Sequence, residues 1–284
     1  MPTDPIEIGV IVGVGQSDLI EGASERVVAT PYGPTSEPVQ VGIVEGRRVA
    51  FLSRRGLGET LQPHLVPYRA NVWALASLGV KSLVTTTASS GLRDAYSPGT
   101  FVVGDQVIDL THGRAPTFYD EGPAVQLSAP EPFDQTLRAL AVESLAAQHV
   151  RYRDFGTTVV IDGPRFSTRA EAHWHAALGG DMANMSLMPE TTLALELGIS
   201  VVNISFITDR DAGVLPDRAD AAGLDIVRRR AAAAQPTLRR TIHEIVQRVP
   251  LGANHEPAVP QERIDEVLAR RAADREVLEG TFAI

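Results

Sequence analysis

The chain has 284 residues, 44% of them hydrophobic and 5% aromatic, which suits one large α/β unit with its own core. It has no cysteine, so disulfides and thiolate metal sites are excluded. The formal net charge of −9 argues against a nucleic-acid surface, and no apolar stretch approaches the roughly 20 residues of a membrane helix. The N-terminus, MPTDPIEIGVIVG, lacks the basic start and cleavage site of a secretory signal. A soluble, cytoplasmic protein is expected.

Strand and helix signals alternate along the chain. Residues 6–12 form an apolar run ending in glycine and predict a buried strand. Two short runs, 39–44 and 48–53, are joined by Glu45-Gly46, a hairpin signal. Residues 66–78 predict a helix closed by Gly79. The β-branched run 82–88 predicts a strand, and 101–108 another. Phe133, Leu137, Leu140, Ala141 and Leu145 share one helical face. Residues 157–161 read as a strand, and 168–178 and 189–197 as helices. The second helix has Pro189 in its first turn and Gly198 just past its end. Residues 199–207 are an apolar strand. The last third is helical, with Leu238, Ile242, Ile245 and Val249 in register and Pro236 expected to break or kink it. The longest irregular stretch, 114–131, is of a length often found in functional loops. The tail after Gly252 is polar and expected to be loosely attached. No repeat or linker divides the chain. The reading is therefore a single domain over 1–284, with its core at about 6–250 and a C-terminal helical tail over 251–284.

Several segments carry chemistry. GVGQSD at 13–18 follows a strand but lacks the third glycine of a dinucleotide fingerprint, and a polar, proline-rich stretch replaces the helix that would hold a pyrophosphate. Its glycines still let backbone amides approach an anion. TTTASSG at 85–91 places small hydroxyl residues at the carboxyl end of a strand, where ligands sit in open α/β sheets. Arg54 and Arg55 close another strand with two guanidiniums, suited either to an anion or to a solvated turn. DGPRFSTRAE at 162–171 combines turn formers, an arginine, an aromatic and hydroxyls ahead of a helix. Asp209 and Asp211, two apart at the end of a strand, point the same way in an extended segment. Such a pair accepts hydrogen bonds from an exocyclic amine or hands a proton to a ring nitrogen; the alternative is a surface turn. His173 and His175 diverge by roughly 200° on a helix, so no metal site is expected there. Trp73 and Trp174 lie inside helix patterns and read as packing residues.

The motifs TTASSGL, FYD at 118–120, GPRFSTRAE, NMSLMPE at 184–190 and TDRD at 208–211 occur in an order and spacing that resembles the methylthioadenosine phosphorylases of the purine nucleoside phosphorylase family. RANVWAL at 69–75 fits as well, and the likeness spans residues 6 to about 227. The resemblance implies a phosphorylase-type twisted mixed central sheet flanked by helices, assembled as a homotrimer or a dimer of trimers. It implies that a 6-aminopurine nucleoside, methylthioadenosine or another 5′-modified adenosine, reacts with phosphate to give adenine and a pentose 1-phosphate. No cofactor is implied, and inorganic phosphate is the co-substrate.

Carried over by position, Phe166 would stack on the purine, with Ser167 beside it and Thr208, Asp209 and Asp211 along its edge. Asp209 would protonate or hydrogen-bond N7, the atom that gains charge as the glycosidic bond breaks. Met185 would pack under the ribose and Ser186 would touch both phosphate and sugar. Gly13, Val14, Arg54, Arg55, Thr87, the Ala88 amide and Ser186 would surround phosphate. Leu224 and Val227 would wall the 5′ group. Gln126 stands where the family usually has a histidine lent by a neighbouring subunit.

The departures from the family gather at the anion. The family loop GGTG reads Val12-Gly13-Val14-Gly15, which removes a threonine hydroxyl. A family Arg-His-Gly reads Arg54-Arg55-Gly56, and a further family histidine aligns with Glu59. A lost neutral hydrogen bond costs about 0.5–1.5 kcal/mol, and one to a charged group about 1.5–3. Arg55 can restore that by bidentate contact with phosphate, or pair with Glu59 and close the site. Three readings follow: phosphorolysis; the same fold with a changed acceptor, as a nucleoside hydrolase or another N-glycosyl transferase; and a non-catalytic nucleoside-binding protein.

Overall fold

A computed structural model describes residues 6–13, 22–213, 223–250 and 257–271. Its centre is an eleven-stranded mixed sheet. The innermost strands are β1 (Ile8–Val12), β5 (Ser82–Gly91) and β11 (Ser200–Arg210). They run parallel, with β5 between the other two. Val10, Val84 and Val202 are each at most 1% exposed, as near-continuous apolar runs with both faces covered require. On the β1 side the sheet continues through β4 (Arg47–Ser53), β3 (Val39–Val44) and β2 (Ser24–Arg26). β3 and β4 form the expected hairpin. Glu45 and Gly46 take φ of 50° and 75°, the left-handed pair that a tight two-residue turn demands.

On the other side β5 forks. Its last residues pair with β10 (Met182–Asn184), which leads to β9 (Thr157–Val160) and β7 (Gln106–Asp109). Meanwhile β11 pairs with β6 (Phe101–Val103), and β6 with β8 (Tyr152–Arg153). The single strand expected over 101–108 is thus two strands in different arms of the fork. Gly104-Asp105 makes the change, and Asp105 is fixed there by accepting a 2.8 Å hydrogen bond from the Gly156 amide.

Helices cover both faces. α1 (Tyr68–Ser77) and α4 (Glu190–Glu196) lie together on one face, and α2 (Gln135–Ala147) and α5 (Leu224–Arg248) on the other. The loop 163–168 leads into α3 (Arg169–Ala177) beside the fork. α1 buries nearly its whole circumference, and each large apolar side chain so placed contributes roughly 1.5–3 kcal/mol. Of the break or kink expected at Pro236, the break does not occur: α5 continues through it. Ala234, Leu238, Ile242 and Ile245 pack one face of it into the core across the proline, which holds the helix against the missing N–H.

The described part of the tail is also firmly attached. In α6 (Gln261–Ala269), Ile264 and Val267 are 0% exposed. Trp73 Nε1 donates to the Val267 carbonyl at 3.0 Å, and Arg270 donates to the Phe118 carbonyl at 2.9 Å. Its polarity belongs to the outer face alone. Trp73 is the packing residue expected, whereas Trp174 is 53% exposed, because α3 lies at the surface.

Candidate active site

One cavity of about 250 Å³ opens at the carboxyl ends of β5 and β11. Ligands collect there in parallel sheets because the strands diverge into loops. It gathers most of the residues singled out in the sequence: Gly13, Arg54, Arg55, Ala88, Phe166, Ser167, Met185, Ser186, Thr208, Asp209, Asp211, Leu224 and Val227. They come from seven separate segments of the chain.

Phe166 and Ser167 sit on the loop before α3. That loop is fixed by a reciprocal cap: Thr168 Oγ1 accepts from the Glu171 amide at 3.2 Å, and Glu171 accepts from the Thr168 amide at 2.6 Å. Ser167 Oγ then donates to Asp211 Oδ2 at 2.7 Å, and Thr208 Oγ1 donates to Asp209 Oδ2 at 2.7 Å. The two carboxyl groups do not face the cavity by simple strand alternation. β11 shifts register between Ile207 and Asp209, and Asp211 opens a short 3₁₀ turn. The bulge re-aims the end of the strand into the cavity.

Both carboxyl groups are almost fully buried. Burial raises the Asp209 pKa from 3.8 to about 6, against the opposing pull of the Ser90 and Thr208 hydroxyls. Burial also raises Asp211, with Ser167 opposing. Asp209 Oδ1 is buried and makes no hydrogen bond among the described residues. An acid of this kind, near neutral pKa and with one oxygen uncommitted, is equipped to give a proton to a ligand. Behind Asp211 lies His175, whose Nδ1 is 4.0 Å from Asp211 Oδ2; burial lowers its pKa and disfavours its charged form.

Met185 and Ser186 form the floor. Asn184 Oδ1 accepts from the amides of Ser186 and Leu187 at 3.2 and 3.3 Å, which turns the chain and presents Ser186 to the cavity. Arg114 donates to the carbonyls of Met185, Asp162 and Met188 at 2.9, 2.9 and 2.5 Å, tying the irregular 114–131 stretch to this turn. Gly163 has φ of +65°, and a Cβ there would lie 2.4 Å from Met185 Sδ. The positive φ favours glycine there, and a side chain would have to displace the Met185 thioether.

At the next corner the Gly13 amide donates to Thr86 Oγ1 at 3.2 Å. A Cβ on Gly13 would come within 3.0 Å of the Thr86 carbonyl and 3.3 Å of Arg54 Nη1. Arg54 is 1% exposed. Its Nε and Nη2 each donate to Glu190 at 2.7 Å, and Nη1 donates to the Thr86 carbonyl at 2.9 Å. Burial works against its charge, but Glu190 outweighs that and holds the guanidinium protonated. Three of the five N–H donors of a guanidinium are so used, and two remain for a ligand.

Two expectations at this corner change. The Thr87 hydroxyl faces away from the cavity and is bonded to Ser205 Oγ at 2.7 Å and Asn203 Oδ1 at 3.2 Å. From this strand Ala88, Ser89 and Ser90 line the cavity instead. Among the described residues Arg55 does not close on Glu59: its Nε donates to the Leu61 carbonyl at 2.6 Å, and Glu59 forms an ion pair with Arg228 Nε at 3.5 Å. Val14 lies outside the described residues.

The third corner holds Leu224 and Val227 with Glu59, Gln62, Pro63 and Arg228, and Arg55 lies between it and the anion corner. The expected apolar wall is therefore only half of that corner. Gln126 does not line the cavity and is exposed. Glu190, Asn184, Arg114 and Arg228 were not singled out by role in the sequence. The one available signal was the NMSLMPE motif, which begins at Asn184 and ends at Glu190. Among the described residues no group of three or more His, Asp or Glu gathers to hold a metal ion.

The phosphorylase superfamily profile matches residues 7–247. A purine nucleoside phosphorylase of Streptomyces coelicolor is 40% identical over 252 residues, 86% of this chain and 89% of the relative. An S-methyl-5′-thioadenosine phosphorylase of Pyrobaculum aerophilum is 46% identical over 213 residues, 73% of this chain and 75% of the relative. Among solved structures, a methylthioadenosine phosphorylase from Schistosoma mansoni in complex with adenine superposes with a TM-score of 0.82 at 31% identity, covering 96% of this chain and 99% of that one.

Proposed function

We propose, from the premise that the chain belongs to the phosphorylase superfamily, that it is a pentosyltransferase cleaving 6-aminopurine nucleosides with phosphate to adenine and a pentose 1-phosphate. The observation that carries this reading is Asp209, a buried acid with a pKa near 6 and one uncommitted oxygen, set in one cavity with Phe166 and with the Gly13–Arg54 corner.

Each corner has a task. Phe166 stacks on the purine, and Ser167 and Thr208 hold the two carboxyl groups along its edge. Phosphate lies against the Gly13 and Ala88 backbone, the two spare N–H groups of Arg54, and Ser186. Met185 packs under the ribose. A phosphate oxygen forms the new bond to C1′ as the bond from C1′ to N9 breaks. The electron pair goes into the purine ring, and the Asp209 proton goes to N7. A buried donor aimed at developing charge is worth far more than in water. Phosphate is the co-substrate and no cofactor takes part.

We further infer a homotrimer. The exposure of Gln126, away from its own chain's cavity, supports a role at a neighbouring subunit's site. Light scattering would then give three times the 30.5 kDa chain mass.

The catalytic reading is tested by incubating the protein with adenosine, methylthioadenosine and inosine, with and without phosphate, and following free base. Adenine release that requires phosphate is expected. Equal release without phosphate overturns phosphorolysis in favour of hydrolysis, and inosine as best substrate overturns the role given to Asp209.

A further inference from the structure

The base fills one corner of the cavity and the anion another, so whatever a nucleoside carries at its 5′ carbon must enter the third. That corner is not a plain apolar wall. Val227 is buried beneath it, but Leu224 is 48% exposed, and Arg55, Glu59 and Arg228 line it alongside. Counting formal charges among the described residues, Arg54 and Glu190 cancel as a closed pair, whereas Arg55 and Arg228 share the carboxylate of Glu59. The described residues of the corner therefore carry a net positive charge.

Its guanidiniums also have donors to spare. Arg55 commits Nε to the Leu61 carbonyl, and Arg228 sets Nε against Glu59; the Nη atoms of both make no hydrogen bond among the described residues. Arg55 is half-buried, where desolvation first, and then the nearby Arg228 and Arg54 charges, disfavour its cationic form. Crowded guanidiniums of this kind are relieved by an anion, and their forked edges match a carboxylate or a phosphoryl group in bidentate fashion.

We propose that this corner is an anionic 5′ subsite: the favoured substrate is a 6-aminopurine nucleoside whose 5′ substituent ends in a carboxylate or phosphoryl group held by Arg55 and Arg228, ahead of a methylthio group. This rests on the phosphorylase reading above and deepens it. Arg228 is a specificity residue in this scheme, remote from the bond that breaks. The alternative use of the spare charge is a stronger grip on inorganic phosphate, and the two uses leave different kinetic signatures.

The test measures kcat/KM for adenosine, methylthioadenosine, adenosine 5′-carboxylate and adenosine 5′-monophosphate, at saturating inorganic phosphate, for the unaltered protein and for Arg228→Leu and Arg228→Lys. The expected result is that at least one anionic nucleoside exceeds methylthioadenosine by tenfold or more. Whether the carboxylate or the phosphate ester leads tells the two sources of the anion apart. Arg228→Leu should reduce the preference for the anionic substrate about tenfold through KM, and Arg228→Lys should keep part of it. Methylthioadenosine ahead of both anionic nucleosides overturns the subsite while leaving the phosphorylase reading intact. So does an Arg228→Leu variant that raises KM for inorganic phosphate and leaves the substrate preference where it was. No adenine from any of the four would overturn the phosphorylase reading, and the subsite with it.

Discussion

Replacing Asp209 with asparagine separates what the carboxyl does for catalysis from what it does to the fold. Burial lifts its pKa from 3.8 to about 6, a displacement of roughly two powers of ten, at about 1.4 kcal/mol each. Because the folded pKa is raised, the acid carries no ionisation penalty below pH 4. The penalty grows as pH rises toward 6 and is complete above it, at about 3 kcal/mol. Asp209→Asn should therefore be more stable than the unaltered protein at pH 8, by several degrees in Tm, and gain nothing at pH 4. Catalysis should move the other way. If the neutral acid delivers the proton to N7, kcat/KM for adenosine falls about tenfold per pH unit above about 6. The variant, which can donate a hydrogen bond but not a proton, loses about 10²- to 10⁴-fold in kcat. Thermal unfolding at the two pH values and a pH–rate profile from 5 to 9 check both halves. A flat profile, or a variant within tenfold of the original rate, refutes the general-acid role. A variant no more stable at pH 8 refutes the buried-charge argument.

Three further substitutions probe the other corners. Glu190→Ala leaves the fully buried Arg54 without its bidentate partner and should cost about 3–5 kcal/mol in urea unfolding, with loss of the phosphate corner besides. Phe166→Ala removes the ring that stacks on the base and should raise KM for the nucleoside by up to about tenfold, given the roughly 0.5–1.5 kcal/mol of a stacked aromatic pair. Steady-state rates against nucleoside concentration will show it. Ser186→Ala removes one donor to a charged ligand, about 1.5–3 kcal/mol, and should raise KM for phosphate by roughly ten- to a hundredfold, as a phosphate titration will measure.

The strands that carry the site were legible because their signal is local. The β-branched run that became β5 and the apolar run that became β11 are buried on both faces, and no other local structure uses such sequences well. What escaped was set by partners distant in sequence. Nothing in residues 101–108 announces that Phe101–Val103 pairs with β11 while Gln106–Asp109 pairs with β9, since each half is apolar enough for a strand. Pro236 was read by its missing N–H, yet packing on both sides of it kept α5 whole. The tail was read by its average polarity, yet two fully buried side chains on one face of α6 bind it to Trp73 and its neighbours.

The site itself divides along the same line. Within their motifs, Thr208 holds Asp209 and the cap at Thr168 fixes the loop of Phe166 and Ser167, and a single bond from Ser167 to Asp211 joins the two, so short motifs carry both the residues and most of their geometry. The anion and 5′ corners are assembled instead from pairs 136 and 169 residues apart in the chain, Arg54 with Glu190 and Glu59 with Arg228. A motif can name one member of such a pair but cannot say which charge answers it. That is why Arg55 was open to two fates in the sequence, and why the structure turned on a third residue, Arg228. Charge changes that leave short motifs intact alter specificity most readily in corners built this way, because a guanidinium on α5 can meet a loop 169 residues away in sequence without disturbing the base pocket.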